Sequence, residues 1–323
     1  MKTILITGGA GFIGSNFTRL ALSKGYSVVV FDKLTYAGNL STLQDISNHS
    51  NYTFYQGDIS DNSAINRLFE QHSFHFVINF AAESHVDRSI SDPDVFIKSN
   101  ILGVQILLEA CRKHQTPRFL QVSTDEVYGS LGTTGFFTED TPLDPSSPYS
   151  SSKAGADLLV QAWHRTYGLN ALITRCSNNY GPYQYPEKLI PLMISKALAQ
   201  ESLPVYGDGS NIRDWIHVED HCDALMCVLE TGIAGRVYNI GGKNECSNLM
   251  VVQRILDILN KPYDSITFVT DRLGHDWRYA IDNTRIQQEL GWVPKHNFTS
   301  GLEHTINWYL HNQDWWQPLL QKS

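Results

Sequence analysis

The chain has 323 residues, of which 42% are hydrophobic and 18% charged, and it carries a formal net charge of −8 with no block of lysine or arginine. This balance excludes an intrinsically disordered chain and argues against a duplex-binding face, while leaving room for a local basic pocket that takes a phosphate. The length suits one large α/β domain with a smaller lobe.

The N-terminus, MKTILITGGAGFIG, turns glycine-rich after one short strand, so no signal peptide is expected. No apolar run approaches the roughly 20 residues of a membrane span. In chain order, short β-branched or aromatic runs fall at residues 3–7 (TILIT), 27–32 (SVVVFD), 52–56 (YTFYQ), 74–80 (FHFVINF) and 118–123 (RFLQVS). Between most of them lie segments of helical spacing, such as FIGSNFTRLALSKG and DPDVFIKSNILGVQILLEACRK. Near-continuous apolar strands alternating with helices predict a Rossmann-like, doubly wound parallel sheet covered on both faces. After Tyr180 come a proline-bearing loop (GPYQYPEKLIP), a turn (YGDGS), a late strand (RVYNIGG) and a helical tail (WYLHNQDWWQPLL). The expected organisation is a mainly Rossmann domain over 1–180 and a smaller mixed α/β lobe over 181–323, with the chain crossing back to the sheet around 210–245. The five cysteines (Cys111, Cys176, Cys222, Cys227, Cys246) are scattered, odd in number and free of any Cys-x-x-Cys pair. Reduced thiols in a cytoplasmic protein are expected, and no metal site.

Residues 7–14 read TGGAGFIG, placing Gly8, Gly11 and Gly14 three apart between the first strand and the first helix. Glycine lets the backbone turn tightly and approach a pyrophosphate, whose charge the free N–H groups at the helix start receive. Asp32 ends the second strand, where a carboxylate accepts hydrogen bonds from the adenosine ribose and repels a 2′-phosphate. The cofactor predicted is NAD and not NADP; the neighbouring Lys33 weakens that exclusion slightly. The bland alternative is a glycine-rich turn with an incidental surface aspartate. Asp58, after the third strand, either contacts the adenine or caps a helix beginning at Asp61 or Ser63.

Two further motifs carry chemistry. Tyr149 and Lys153 stand four apart in YSSSK and so share a helix face. A lysine ammonium beside a phenol is expected to lower the tyrosine pKa towards neutrality and make it a base. Alone, the pair could equally be a solvated helix face. In QVSTDEVYG, Asp125 and Glu126 follow an apolar strand, and they would point in different directions unless the chain has begun to turn. The alternative reading of these acids is a helix-initiating acidic turn.

TGGAGFIG with YSSSK resembles the extended short-chain dehydrogenase/reductase superfamily. The strings AAESHVDRS, STDEVYG, RCSNNYGPYQYPEKLIP, YGDGSNIRDWIHVEDH and DRLGHDWRYAID resemble its nucleotide-sugar 4,6-dehydratases, and the match runs from Lys2 to about Leu310. The resemblance implies dTDP-glucose as the substrate, with UDP-glucose as the alternative. It extends the NAD site to Phe12, Ile13, Lys33, Leu34, Thr35, Ile59, Phe80, Ala81, Ala82, Ser84, Ser99 and Asn179. It also implies that Tyr149 takes the O4 proton as hydride leaves C4, with Lys153 holding the phenolate. Glu126 then removes the C5 proton, Asp125 protonates the departing C6 hydroxyl, and the hydride returns to C6. Thr124 would bond the sugar O4. One carboxyl must be ionised and the other protonated, which divergent environments provide.

For the substrate's nucleotide end the resemblance implies Ser84, Asn178, Lys188, Leu189, Arg213, Asn248, Arg272 and His275, with Pro204, Val205 and Tyr206 along the base. Arg213 is the expected diphosphate ligand, since a guanidinium matches two phosphate oxygens at once. Trp215 and Trp292 are expected in the core. Where the family commonly reads Pro-Gly-His-Asp-Arg-Arg, this chain has Leu273-Gly274-His275-Asp276-Trp277-Arg278. Leu273 could loosen that loop and Trp277 removes a positive charge, so base preference stays open. A homodimer through helices around Gln105 and Leu158 is implied. The competing readings are a sugar-nucleotide 4-epimerase, which needs no acid pair, and a non-catalytic NAD-binding regulator, which leaves both pairs without a purpose.

Overall fold

In the computed structural model, described for residues 1–271 and 275–320, the apolar run Thr3–Thr7 forms the interior strand β1, buried along its length after Thr3. Helix α1 (Phe12–Ser23), β2 (Ser27–Asp32), β3 (Tyr52–Gln56), α2 (Asn62–Gln71) and β4 (Phe76–Asn79) follow. Next come α3 (Val86–Ser91) and a continuous helical stretch with three parts: α4 (Asp94–Phe96), a π-helical turn over Ile97–Leu102, and α5 (Gly103–Lys113). Strand β5 (Arg118–Thr124) leads through a 3₁₀ turn (Asp125–Tyr128) towards α6 (Pro148–Tyr167), then β6 (Ala171–Cys176). The second half supplies β7 (Asn178–Tyr180), α7 (Leu189–Ala199), β8 (Leu203–Tyr206), β9 (Ile212–His217), α8 (Val218–Thr231) and β10 (Val237–Ile240). It ends with β11 (Glu245–Ser247), α9 (Asn248–Ile258), β12 (Ile266–Val269), α10 (Thr284–Leu290), α11 (Phe298–His311) and α12 (Gln313–Leu320).

The main sheet has seven strands in the order β10-β6-β5-β4-β1-β2-β3, and every pairing in it is parallel. This is the doubly wound arrangement expected, with the order reversing between β1 and β4, where open α/β sheets bind ligands beyond the strand ends. Two apolar cores cover its faces, one including Ile4, Ile6, Phe17 and Leu225, the other Leu5, Val29, Leu107 and Phe119. A lobe built on β11-β9-β7 and on β12-β8 has its own core around Tyr180, Trp215 and Leu302. Although late in sequence, α8 packs on α1 and β10 pairs with β6, so this part of the chain belongs to the large body. Trp215 and Trp292 lie in the cores, as expected.

A polar ladder ties three adjacent strands together below the site. The Thr7 hydroxyl donates to Asn79 Oδ1 (2.5 Å), and Asn79 Nδ2 donates to Gln121 Oε1 (2.9 Å), all three residues being buried. Satisfied networks of this kind fix register, because any slip leaves buried polar atoms unpaired. A second buried pair joins α6 to β6: Arg175 Nε lies 2.8 Å from Asp157 Oδ2, and Arg175 Nη1 donates to Tyr128 Oη. Asp157→Ala would strand a buried guanidinium, so unfolding free energy should fall by about 3–5 kcal/mol in denaturant titration. A loss of about 1 kcal/mol or less, the value of an exposed pair, would contradict this.

Candidate active site

A cleft of about 340 Å³ opens at the C-terminal ends of β1, β2, β4, β5 and β6. Its floor is the glycine loop. Gly8 has φ +71°, and a Cβ there would stand 2.5 Å from the Ala81 nitrogen; a Cβ on Gly14 would stand 2.3 Å from the Gly8 carbonyl oxygen. Only glycine permits that turn and the close seating of α1 on it. Asp32 is buried at the end of β2, accepting from the backbone N–H of Ala10 (2.9 Å) and of Leu34 (2.8 Å). Burial pushes its carboxyl up and these two N–H bonds oppose that. Asp32 therefore holds the glycine loop as well as facing the cleft. Leu34 itself does not line the cleft; its N–H serves Asp32.

The other cofactor residues expected from the sequence line the cleft: Gly11, Phe12, Ile13, Lys33, Thr35, Asp58, Ile59, Phe80, Ala81, Ala82, Ser84, Ser99 and Asn179. Asp58 does not cap α2. Asp61 does, accepting from Ser63 and Ala64, while Asp58 holds Ser60 and forms an ion pair with Lys33 at 2.9 Å. That pairing partly neutralises the cation adjacent to Asp32. Asn100, which the sequence did not single out, sits in the π-helical turn. It donates to Ser152 Oγ (2.9 Å) and clasps the Glu83 backbone through both ends of its amide, fastening the loop after β4 to α6. A π-turn often marks a functional site, but FIKSNILG has ordinary helical spacing and gives no sign of it.

The acid pair sits where β5 ends. The chain turns directly into the 3₁₀ segment, so Asp125 and Glu126 both reach the cleft, and Thr124 caps that turn by accepting from the Glu126 N–H (3.3 Å). The helix-initiating and the chemical readings therefore coexist. The two carboxyls have different surroundings: Asp125 is 1% exposed with one oxygen lacking any hydrogen-bond partner, whereas Glu126 is half-buried. Burial first, then the nearby Glu126 and Asp214, push the Asp125 carboxyl well above the usual range, against the pull of Arg213. A carboxyl held towards its protonated form beside a more open one is the division of labour that acid–base chemistry needs.

Opposite them, Pro148 and a Ser147–Ser150 capping box start α6, which brings both Tyr149 and Lys153 buried into the cleft. The expected lowering of the phenol is not found. Burial, followed by the negative potential of Glu126, raises Tyr149 well above its ordinary value, while Thr124 opposes this. Lys153 is lowered by burial, and its Nζ donates to the Val122 carbonyl at 2.7 Å. The lysine is thus anchored to β5 in this structure. Cys176 also lines the cleft, but burial pushes its thiol up to about 12, which disqualifies it as a thiolate nucleophile.

The substrate residues divide. Ser84, Thr124, Asn178 and Lys188 line the cleft with the catalytic set, whereas Leu189, Pro204, Val205, Tyr206, Arg213, Asn248 and His275 lie outside its lining. Val205 points into the lobe's core, so its side chain is not available to a base. Arg213 stacks on Tyr279 (4.4 Å) and donates to the carbonyls of Ile212 and Asp276, which holds it near Asp125. Tyr206 is exposed and faces the His275 ring at 6.5 Å. Arg272 and Leu273 lie outside the described residues. Trp277 is exposed on the lobe, and Arg278 pairs with Glu245 (2.6 Å). Tyr36, Tyr185 and Glu187 also line the cleft and were not foreseen; only the adjacency of Glu187 to Lys188 could have pointed to one of them.

The family model described as GDP-mannose 4,6 dehydratase matches residues 5–305. A dTDP-glucose 4,6-dehydratase of Xanthomonas campestris is 53% identical, over 100% of this chain and 97% of its own. The structure of the Bacillus anthracis dTDP-glucose 4,6-dehydratase in complex with NAD superposes with a TM-score of 0.93 at 50% identity, covering 99% of this chain and 100% of that one. That of a Streptomyces venezuelae dTDP-glucose 4,6-dehydratase with NAD and TYD bound gives 0.95 at 47%, covering 98% and 99%. By full-length likeness in sequence and in fold, the chain belongs to the dTDP-glucose 4,6-dehydratase family.

Proposed function

We propose that the chain catalyses NAD-dependent removal of water from dTDP-glucose to give the 4-keto-6-deoxy sugar. One observation carries this reading: a single cleft joins a glycine-loop cradle and Asp32 to Tyr149, Lys153 and a carboxyl pair in unequal environments. The glycine loop, Asp32, Tyr149 and Lys153 would hold NAD, which when bound supplies a reversible hydride acceptor and a positive charge beside the phenol. Tyr149 takes the O4 proton as C4 is oxidised. The new ketone acidifies C5, whose proton Glu126 removes, and Asp125 delivers a proton to the C6 hydroxyl as it leaves. The hydride ends at C6 as Glu126 returns its proton to C5, so the reaction is redox-neutral overall. Thr124 bonds O4, and Arg213 takes the diphosphate. The acid pair argues against a 4-epimerase, and the two intact pairs argue against a binding-only role.

The test is to incubate the purified protein with dTDP-, UDP- and CDP-glucose in parallel and follow the 4-keto-6-deoxy product by its absorbance in alkali. The expected result is fastest turnover of dTDP-glucose, no stoichiometric requirement for added NAD⁺, and release of NAD(H) on denaturation. A C4 epimer as product, bound NADP(H), or one NAD⁺ consumed per turnover would overturn the reading.

A homodimer is part of the same proposal. Ile90, Val95, Ile97, Leu102 and Leu158 are exposed on α3, α4, the π-helical turn and α6, elements that pack on one another; a second copy would cover such apolar residues. Leu158→Glu should yield a monomer in sedimentation; a monomeric parent protein would contradict the dimer. Among the described residues no helix is long and apolar enough to cross a membrane. The five cysteines are free, which supports a cytoplasmic location that cell fractionation would check.

A further inference from the structure

Away from the cleft, three elements bring histidines and acids together. His217 ends β9, Glu219 and Asp220 lie in the first turn of α8, and His296 lies in the loop before α11. His217 Nδ1 is 3.9 Å from Glu219 Oε2, and His296 Nε2 is 3.6 Å from the same oxygen. One ligand atom from each of these three residues falls within 4.8 Å of the others. The two imidazole rings lie 4.3 Å apart, tilted by 33°, and His304 brings a third ring 5.5 Å from His217.

We propose that His217, Glu219 and His296 bind one borderline divalent cation of the Zn²⁺ type. Three observations support the proposal. First, two imidazoles and a carboxylate are the donor set such cations take, with Zn–N near 2.0–2.1 Å. Ligand atoms on one tetrahedral ion stand roughly 3.3 Å apart by that geometry, so the present separations close by rotamer adjustment of an exposed Glu219 and a part-exposed His296. Second, Asp220 is buried and its Oδ1 lies 3.0 Å from His296 Nδ1. With Nδ1–H donating to that carboxylate, the lone pair of Nε2 faces Glu219, as second-sphere carboxylates arrange for metal-bound histidines. The Asp220 carboxylate is itself fixed by the backbone N–H groups of Lys295 and His296.

Third, the His217 side chain is fully buried, and its Nδ1, the ring atom facing Glu219, accepts only a long contact (3.4 Å) from the Glu219 N–H as it caps α8; a cation would take over that lone pair. The positive end of the α8 dipole opposes a cation, and the first-turn carboxylates Glu219 and Asp220 offset it. The cation would fasten the loop before α11, which packs on the lobe, to a strand and helix of which α8 belongs to the large body. The cysteine pattern gave no hint of this site, because its ligands are histidines about eighty residues apart in sequence.

The test titrates chelator-stripped full-length protein with ZnCl₂ by calorimetry and follows thermal unfolding. The expected result is one equivalent per chain with a raised melting temperature, and no comparable binding of Mg²⁺, which prefers oxygen ligands. Asp220→Asn should weaken Zn²⁺ binding about 10–100-fold, the usual effect of losing a second-sphere carboxylate. Glu219→Gln, at an exposed position and so expected to fold, should weaken it at least as much. Absence of a stoichiometric site in the parent protein, or an unchanged isotherm in Glu219→Gln, would overturn the proposal and leave the cluster as packing and capping contacts.

Discussion

Tyr149→Phe is expected to lower turnover by roughly 10²–10⁴-fold, the usual effect of deleting one positioned base. The ring keeps its place: Tyr149 is buried at the start of a well-capped α6 and meets Phe96 edge-on at 6.4 Å, a contact that phenylalanine preserves. A hydroxyl's hydrogen bond is worth only about 1 kcal/mol net, so the melting temperature and bound-cofactor content should change little. The raised phenol adds a condition. Since burial and Glu126 hold the proton on Tyr149, the tyrosine becomes an effective base only when positive charge enters the cleft. The parent protein should therefore show a lower phenol pKa with NAD⁺ bound than without it. A folded Tyr149→Phe variant with near-normal turnover would remove Tyr149 from the chemistry.

Most of the large body could be read directly from the chain. The runs at 3–7, 27–32 and 52–56 became β1, β2 and β3 with the same bounds; the apolar residues of β1 and β2 are buried in the parallel sheet, whereas those of the edge strand β3 are only partly covered. β6 was not singled out. Its segment, ALITRC, carries Arg175, whose burial is intelligible only from Asp157 on α6 and Tyr128 beyond β5. The lobe's strands are three to six residues long and pair across long stretches of sequence, as when β12 joins β8, so periodicity had little to register.

The site shows the same division. Motif spacing located the glycine loop, Asp32, the Tyr–Lys pair and the acid pair, since each depends on neighbours within one turn or one strand end. Hydrogen bonds formed across the fold were not accessible to that reasoning. Lys153 is drawn to the Val122 carbonyl and not to the phenol, Asp58 to Lys33 and not to a helix end, and Arg213 to Tyr279 and the Asp276 carbonyl. The buried oxygen of Asp125 is likewise visible only once β5 and β6 have closed around it.

The second large effect is expected at that acid pair. Asp125→Asn removes the proton donor while keeping size, so oxidation at C4 and proton exchange at C5 should persist while expulsion of the C6 hydroxyl slows by roughly 10²–10⁴-fold. Glu126→Gln should act one step earlier. Glutamine cannot accept the C5 proton, so reduced-nicotinamide absorbance should appear on mixing with substrate while product formation collapses by a similar factor. The measurement that separates these roles is incorporation of solvent deuterium at C5 of the sugar in Glu126→Gln. The account predicts exchange reduced in parallel with product formation, because one carboxylate removes and returns that proton. Exchange at the parent protein's level would show that another group is the base and that the roles of Asp125 and Glu126 are wrongly assigned.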